Sequence, residues 1–521
     1  MPTLAQPQTP PSIDFDQQPF TFSDQPLSSD MARELVVQQF REFESERYKN
    51  FDQKWLESDS LYNGIVPTRM WEGSNVPRAA IPNNISFDHV EAAQAFIESA
   101  LFDNPDWFGV EARRETSPKD ARDLETLLME WFDAPDEEDF STFRRDFRMT
   151  CKSGLMYGTG VGMLEWTSDR PKFIGLDLRD VYVDPGCKTA SIDDARSVIV
   201  RDEVTVNDLQ RFKDHPKIDV PSPSVLYFMS LNKQTTMSEP MEQMRELMRG
   251  SIVSVDGRIP FPADYKVEIL RYYTKDRIIW ILNRMHTMMN DRNPYGFIPL
   301  VSFPCRPQIG RFYGSSLPEA IKYQQRVTEA LQNVHLDELH QSIEPAVTVP
   351  RGTSAKSDNF RIRPGRTEVV DDPSKVMVHQ PPGITANVQG DIVYHEQQAE
   401  RRNGISSLSQ GAARPGNINR TKAGVQQQSE GTNSRLKHII SNIEDYAIQP
   451  MLYKARKMAQ VHTDPDQVLL VPSGEPYRPI TARVLHTPVK FKIECASRML
   501  TRDRLGSTLP TLMQTMINGP V

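Results

Sequence analysis

The sequence predicts an α+β fold, and three observations carry that expectation. From Ser29 to Tyr157 the apolar residues recur at helical spacing. From about residue 172 to 305 the period shortens to two. No internal repeat joins the two regions into a βαβ array. With 521 residues the chain is too long for one core, so two to four domains are expected. Hydrophobic residues make up 38% and charged residues 25%, a composition that folds.

Residues 1 to 30 hold six prolines, four aspartates and no Lys or Arg. Such a stretch cannot bury enough apolar surface to offset its ordering entropy, which predicts a disordered or draped arm over 1–29. From Ser29 a cap signal and Leu35, Phe40, Phe43, Phe51 and Trp55 predict one or two amphipathic helices. Val90, Ala93, Phe96, Ile97, Ala100 and Leu101 mark a further helix over 88–104, and a helical block covers 118–157 with a turn at "DAPDEEDF". Strands follow in "FIGLDLRDVYVDPGC", "ARSVIVRDEV" and "GFIPLVSFPC", and Lys275-Asp276 is placed at a hairpin between "YKVEILRYYT" and "RIIWILNR". The weakly patterned stretch 214–264 carries Met241, Met244 and Met248, read as a packing or subunit-contact face.

A long helix is predicted over 315–343, with Ser316 as cap, Pro318 in its first turn and Glu319 near its positive end. Leu317, Ile321, Leu331, Val334 and Leu339 are its apolar positions, and Pro345 ends it. Three β-like pieces, "PAVTVPRGT", "GRTEVVDD" and "KVMVHQPP", predict a small β module over 344–386. A second helix ends at Asn403-Gly404. A third covers about 421–462, striped by Leu436, Ile439, Ile440, Ile443, Ala447, Met451 and Leu452. Strands are expected in 463–495 and a helix in 500–518.

The net charge of −8 excludes polyanion binding over the whole surface, so any nucleic-acid contact must be local. Four widely spaced cysteines, Cys151, Cys187, Cys305 and Cys495, with no C-x-x-C, read as reduced thiols. No apolar run has transmembrane length and no signal peptide is expected. For catalysis the sequence offers little. "GTGVG" at 158–162 lacks the lysine of a phosphate loop and reads as a helix end. His335 and His340 stand five apart, about 140° around a helix, so they do not form a metal pair. Asp184, Asp193 and Asp194 fit turn and cap roles better than a cation site. No cofactor is expected.

The segment that stands out is "SQGAARPGNINRTKAG" at 409–424. Between Glu400 and Glu430 lie Arg401, Arg402, Arg414, Arg420 and Lys422 with no acid, together with the amides of Asn417 and Asn419. A basic loop between two helices can meet phosphates without reading sequence. The alternative is a solvated linker. The module at 344–386 likewise carries Arg351, Lys356, Arg361, Arg363 and Arg366.

The order of these elements, with "IPNNISFDHVEAAQAF", "KSGLMYGTGVGMLEW", "VYVDPGCKTASIDDARSVIVRDEVTVNDL", "FYGSSLPEAIKYQQRVTEALQNVHLDELHQSIEPAVTV" and "RTKAGVQQQSEGTNSRLKHIISNIEDYAIQPML", resembles that of tailed-bacteriophage portal proteins over about 80–500. The resemblance implies a portal-like α+β architecture: an N-terminal arm at 1–29, an α/β wing at 30–314, a first stem helix at 315–343 and a β-rich clip at 344–386. It continues with a second stem helix at 387–405, a tunnel loop at 406–420, a long helix toward the crown at 421–462, and C-terminal wing strands with the start of a crown at 463–521. It further implies a non-enzymatic homo-oligomer of twelve subunits at one capsid vertex of the virion, assembled in the host cytoplasm. Such a ring conducts double-stranded DNA during packaging and ejection, contacts the major capsid protein, and docks the terminase large subunit and then neck, adaptor or tail proteins. In that frame Arg414, Asn417, Asn419, Arg420 and Lys422 face DNA, and Arg351, Lys356, Arg361, Arg363 and Arg366 belong to the clip's docking surface. Two other readings stand beside it: a different ring-forming head–tail adaptor, disfavoured by length, and a nucleotide-dependent enzyme using 158–162.

Overall fold

The computed structural model describes residues 28–65, 79–103, 107–113, 117–133, 142–167, 170–210, 212–213, 216–226, 266–343, 346–348, 377–379, 385–405, 435–471 and 478–493. The N-terminal arm, the methionines at 241, 244 and 248, the "GRTEVVDD" segment, Cys495 and the helix expected at 500–518 lie outside these residues.

The first helix, α1 (Ser29–Arg47), runs on through a wide turn at Tyr48–Asp52 into α2 (Gln53–Asn63), which stops where Gly64 takes a left-handed conformation. Next come α3 (Ile85–Phe102), β1 (Gly109–Ala112), α4 (Pro118–Asp133) and α5 (Phe143–Tyr157), the last capped by the Thr142 side chain. The strand-rich stretch holds β2 (Thr159–Trp166), β3 (Pro171–Leu176), β4 (Val181–Val183) and β5 (Val198–Thr205). After the short α6 (Val206–Gln210) it resumes with β6 (Lys266–Tyr273), β7 (Arg277–Leu282), β8 (His286–Arg292) and β9 (Leu300–Pro304). The long α7 (Leu317–Ile343), the paired β10 (Ala346–Thr348) and β11 (Met377–His379), and α8 (Thr385–Asn403) follow. The last helical run, α9, is described from 435, passes a wide turn at Glu444–Ile448 and continues as Gln449–His462. That turn sits just before Pro450, whose missing N–H and ring bulk the wider coil accommodates. The chain closes with β12 (Val468–Val471), β13 (Arg478–Thr481) and β14 (Val489–Lys492).

Every strand pair among the described residues is antiparallel, which makes the fold α+β. One sheet has the order β4-β5-β6-β7-β8 and another β3-β2-β9. The β6–β7 hairpin turns at Lys275-Asp276, as its alternating flanks predict. Helix α1 lies on the larger sheet. Ala32, Val36, Phe40 and Phe43 pack against Tyr182, Ile199, Leu270, Tyr272, Ile279 and Ile281, while Leu35, one of the expected core positions, is exposed. The largest core joins α3, α4 and α5 to α9. The predicted stripe of α9, Leu436 to Leu452, is buried there. Strand β14 pairs with β1, so segments about 380 residues apart share one core.

The glycines at 158–162 begin at a helix end, as their sequence predicts, but most of the segment is strand. Gly158, at φ 94°, ends α5, and the rest of the segment is the start of β2, a strand buried along most of its length. A Cβ on Gly158 would stand 2.3 Å from the Gly314 carbonyl oxygen. One on Gly160 would stand 2.4 Å from the Phe303 ring and 2.6 Å from the Thr150 carbonyl oxygen. These residues are small because backbone and aromatic rings press on them, which leaves no space for a phosphate. Gly160→Ala is therefore expected to cost about 1–3 kcal/mol by overpacking, because a backbone carbonyl cannot swing aside. A thermal or urea melt reads this, and an unchanged midpoint would contradict the packing account.

Candidate functional site

Helices α7 and α8 lie side by side, and in sequence the basic segment 406–434 stands between α8 and the described part of α9. The start of α7 is fixed locally. The Glu319 N–H donates to the Ser316 hydroxyl at 3.1 Å, and the Glu319 carboxylate meets Lys54 at 3.3 Å. The predicted cap is therefore the real one.

The faces of α7 are not arranged as the sequence led us to expect. Leu317 and Ile321 are buried, but Val334 and Leu339 are exposed. The inward face is polar: Gln325, Thr328, Glu329 and Asn333 are buried. Asn333 clamps Ile81, accepting its N–H at 2.8 Å and donating to its carbonyl at 3.1 Å. Asp337 accepts the Ala79 N–H at 2.7 Å, and Gln325 bonds Ser86 and donates to the Leu61 carbonyl at 2.9 Å. Glu57 receives both Lys322 and Arg326 at 3.1 Å. Side-chain amides thus replace backbone partners for an irregular stretch that has no ladder of its own. Outward, Tyr323 (65% exposed), Val327 and Val334 share one stripe, and α8 adds exposed Val393 and Tyr394.

The end of α8 is pinned by Asn403. This buried side chain donates to His89 Nδ1 at 3.0 Å and to the Leu317 carbonyl at 3.4 Å, and accepts from Arg306 at 3.0 Å. Gly404 turns left-handed, and the Arg435 side chain lies against it and donates to the carbonyls of Arg401 and Arg402. Three segments distant in sequence, 305–307, 402–404 and 435–442, meet here around an open pocket of about 450 Å3. Arg306, Arg402, Arg435 and His438 line it. Burial pushes the Cys305 thiol at its floor up to about 11, with a small opposing effect from Arg306, so it stays protonated.

The residues expected to face DNA, Arg414, Asn417, Asn419, Arg420 and Lys422, lie outside the described residues. So do Arg351, Lys356, Arg361, Arg363 and Arg366 of the small β module. The described strands that bracket that module, β10 and β11, pair with each other from Ala346↔His379 to Thr348↔Met377. Of the expected basic positions, Arg401 and Arg402 are described. Arg306, Arg435 and His438 escaped the sequence reading. Arg435 and His438 could have been found by extending the basic window beyond Glu430, but nothing local points to Arg306.

Asp184, Asp193 and Asp194 serve neighbouring groups. Asp184 accepts the Gly186 N–H at 2.8 Å in the Pro-Gly turn, Asp193 pairs with buried Lys454 at 2.6 Å, and Asp194 accepts from Thr189 at 2.7 Å. Among the described residues no group of three or more His, Cys, Asp or Glu side chains could hold a metal ion, and no helix is long and apolar enough to cross a membrane.

Comparison with known families decides among the readings. The family model described as "Phage SU10 portal protein" matches residues 156–520, well over half of the chain. The chain belongs to this family of phage portal proteins. No curated protein matches it. The match begins at the end of α5 and takes in the five-stranded sheet, α7, α8 and α9. The Asn403 junction of this portal protein therefore lies within the matched region.

Burial, aided by the charge of Arg306, lowers His89 to about 4 from its usual value near 6.5. Its Nδ1 accepts the Asn403 amide, a bond that protonation would break. Because the folded value lies below the unfolded one, this contribution is intact above pH 6.5 and is lost as pH falls toward 4. It amounts to about 1.4 kcal/mol per pH unit and at most about 3 kcal/mol. Urea titrations at stepped pH should show a stability gap between the wild type and His89→Gln that shrinks over that window. Parallel curves would remove His89 from the acid response.

Proposed function

We propose that this portal protein assembles into a closed ring, of twelve subunits, at one vertex of a phage capsid, and that double-stranded DNA passes through it during packaging and ejection. The observation that carries the reading is the inverted character of α7. Its polar face is satisfied within the chain, and its apolar stripe of Tyr323, Val327 and Val334 points away from its own core. Such a stripe gains about 25 cal/mol per Å2 of apolar area removed from water when a second copy covers it. A heterologous contact of this kind closes into a ring or grows into a filament.

In this ring α7 and α8 are the stem, the module bracketed by β10 and β11 is the clip, and the sheets with α1–α5 and α9 are the wing. The segment 406–420 is the tunnel loop. Arg414, Arg420 and Lys422, with Asn417 and Asn419, supply a weak, multivalent and salt-sensitive collar for DNA phosphates. The clip, through Arg351, Lys356, Arg361, Arg363 and Arg366, docks first the terminase large subunit and then neck or tail proteins, while the wing meets the major capsid protein. The chain guides DNA without catalysis, and the motor is a separate protein. The packing around Gly158–Gly162 supports this over a nucleotide-dependent enzyme.

Tyr323→Asp with Val334→Asp should change the stability of the isolated subunit by no more than about 0.5 kcal/mol, since both sites are exposed. The same pair should abolish the particle near twelve chain masses in mass photometry. Undiminished rings would place the subunit contact elsewhere. Arg414→Ala with Arg420→Ala and Lys422→Ala should leave rings intact and alter the length or retention of packaged DNA. Unchanged genome length and retention would remove the loop from the mechanism.

A further inference from the structure

The pocket at the base of the loop has an electrostatic imbalance. The Arg306 guanidinium donates to the Asn403 side-chain oxygen, Arg402 to the Ala320 carbonyl at 3.1 Å, and Arg435 to the Arg402 carbonyl at 2.7 Å and that of Arg401. The Gln324 amide, turned to satisfy its neighbours, accepts two further bonds from Arg402 at 3.2 Å. All these acceptors are neutral amide oxygens. Among the described residues no carboxylate lies within 4.0 Å of any of the three guanidiniums, whereas elsewhere Arg179, Arg201, Arg271 and Arg284 each meet an acid.

Three cations gathered around about 450 Å3 repel one another unless an anion joins them. The loop sequence that follows the pocket adds more positive charge than negative. Between Ile405 and Arg435 it carries Arg414, Arg420 and Lys422 against the single acid Glu430. Each guanidinium has five N–H donors in a planar fork, more than its carbonyl partners use, and His438 adds an imidazole. Forked donors converging from several directions suit a tetrahedral oxyanion with several acceptor oxygens.

We propose that the pocket formed by Arg306, Arg402, Arg435 and His438 binds a phosphate group, either of a DNA backbone or of a free phosphate or phosphoester. With DNA as the source, the inference deepens the conduit reading and rests on it. With free phosphate it stands alone.

The test uses the full chain, with Arg402→Gln plus His438→Gln as the variant and Arg483→Gln as the control. Both variant positions are exposed, and the control residue is an exposed arginine paired with Asp466. Fluorescence anisotropy follows a labelled duplex between 50 and 200 mM NaCl, and calorimetry follows inorganic phosphate and pyrophosphate. For a DNA source, the double variant should weaken duplex binding about 3- to 10-fold at low salt and lower the salt slope by about 1, with the control unchanged. If phosphate or pyrophosphate binding is lost while duplex binding is unchanged, the source is a free phosphate, and the pocket stands. If neither ligand responds to the double variant, the proposal is overturned. Mass photometry of the same samples separates the two ideas. A monomer with Arg402-dependent phosphate binding sinks the ring and keeps the pocket. A ring whose binding ignores Arg402 does the reverse.

Discussion

The Gly158 carbonyl accepts the Cys305 N–H at 2.8 Å, and the geometry downstream depends on that contact. It brings the corner between α5 and β2 against the segment that leads into α7. Thr159 then accepts the Gly314 N–H at 2.9 Å, and the Arg306 carbonyl accepts the Ser315 N–H at 3.0 Å. The approach is possible because Gly158 and Gly314 carry no side chains, each lying where a Cβ would strike the other's backbone. The residue after this clamp is Ser316, the cap of α7. The largest core, the three-stranded sheet and the start of the long helix therefore meet at one backbone contact.

From that contact outward the chain changes its means of cohesion. Around α3, α5 and α9 it uses aromatic and aliphatic burial: Phe143 packs with Trp107, Phe147 and Phe173, and Trp107 and Phe147 are almost fully buried. Along α7 it uses amides and carboxylates. Hydrogen bonds fix register more sharply than apolar contacts do, because an amide displaced by one turn loses its partner entirely. The helix is thus held at a defined height against 79–86 while its apolar residues remain available. In the proposed ring this separates two tasks: polar contacts set the helix within a subunit, and apolar contacts join subunits.

Much of the architecture was legible in the sequence because its signals are local. The Lys275-Asp276 hairpin, the Ser316 cap and the stripe of α9 each follow from neighbouring residues, and each is found in place, while the turn at "DAPDEEDF" lies almost wholly outside the described residues. What the sequence hid is set by distant partners. Strand β2 reads as a glycine-rich helix end because its small residues answer to Phe303 and Phe173, over a hundred residues away in one case. Strand β8, "HTMMNDR", has too little alternation to stand out, and is a strand because β7 pairs with it. In α7 the apolar residues suggested a buried stripe, yet the burial belongs to Gln325 and Asn333, whose partners lie some 240 residues upstream.

The same distinction explains the candidate site. A run of basic residues without acids is visible in one window, and the described pocket lies at its base. The run acquires chemical meaning from Arg306, which arrives from the end of β9, and from Asn403, whose side chain links that arginine to a histidine held neutral by burial. Asn403 can accept from a cation and donate to an imidazole at once because an amide carries both functions. A carboxylate in its place would neutralise Arg306 and leave His89 without a donor. The amide leaves Arg306 bonded to a neutral oxygen, with no carboxylate within 4.0 Å among the described residues, at the root of an acid-poor loop in a protein whose net charge is negative. That choice of a neutral linker concentrates positive potential at one point of the fold.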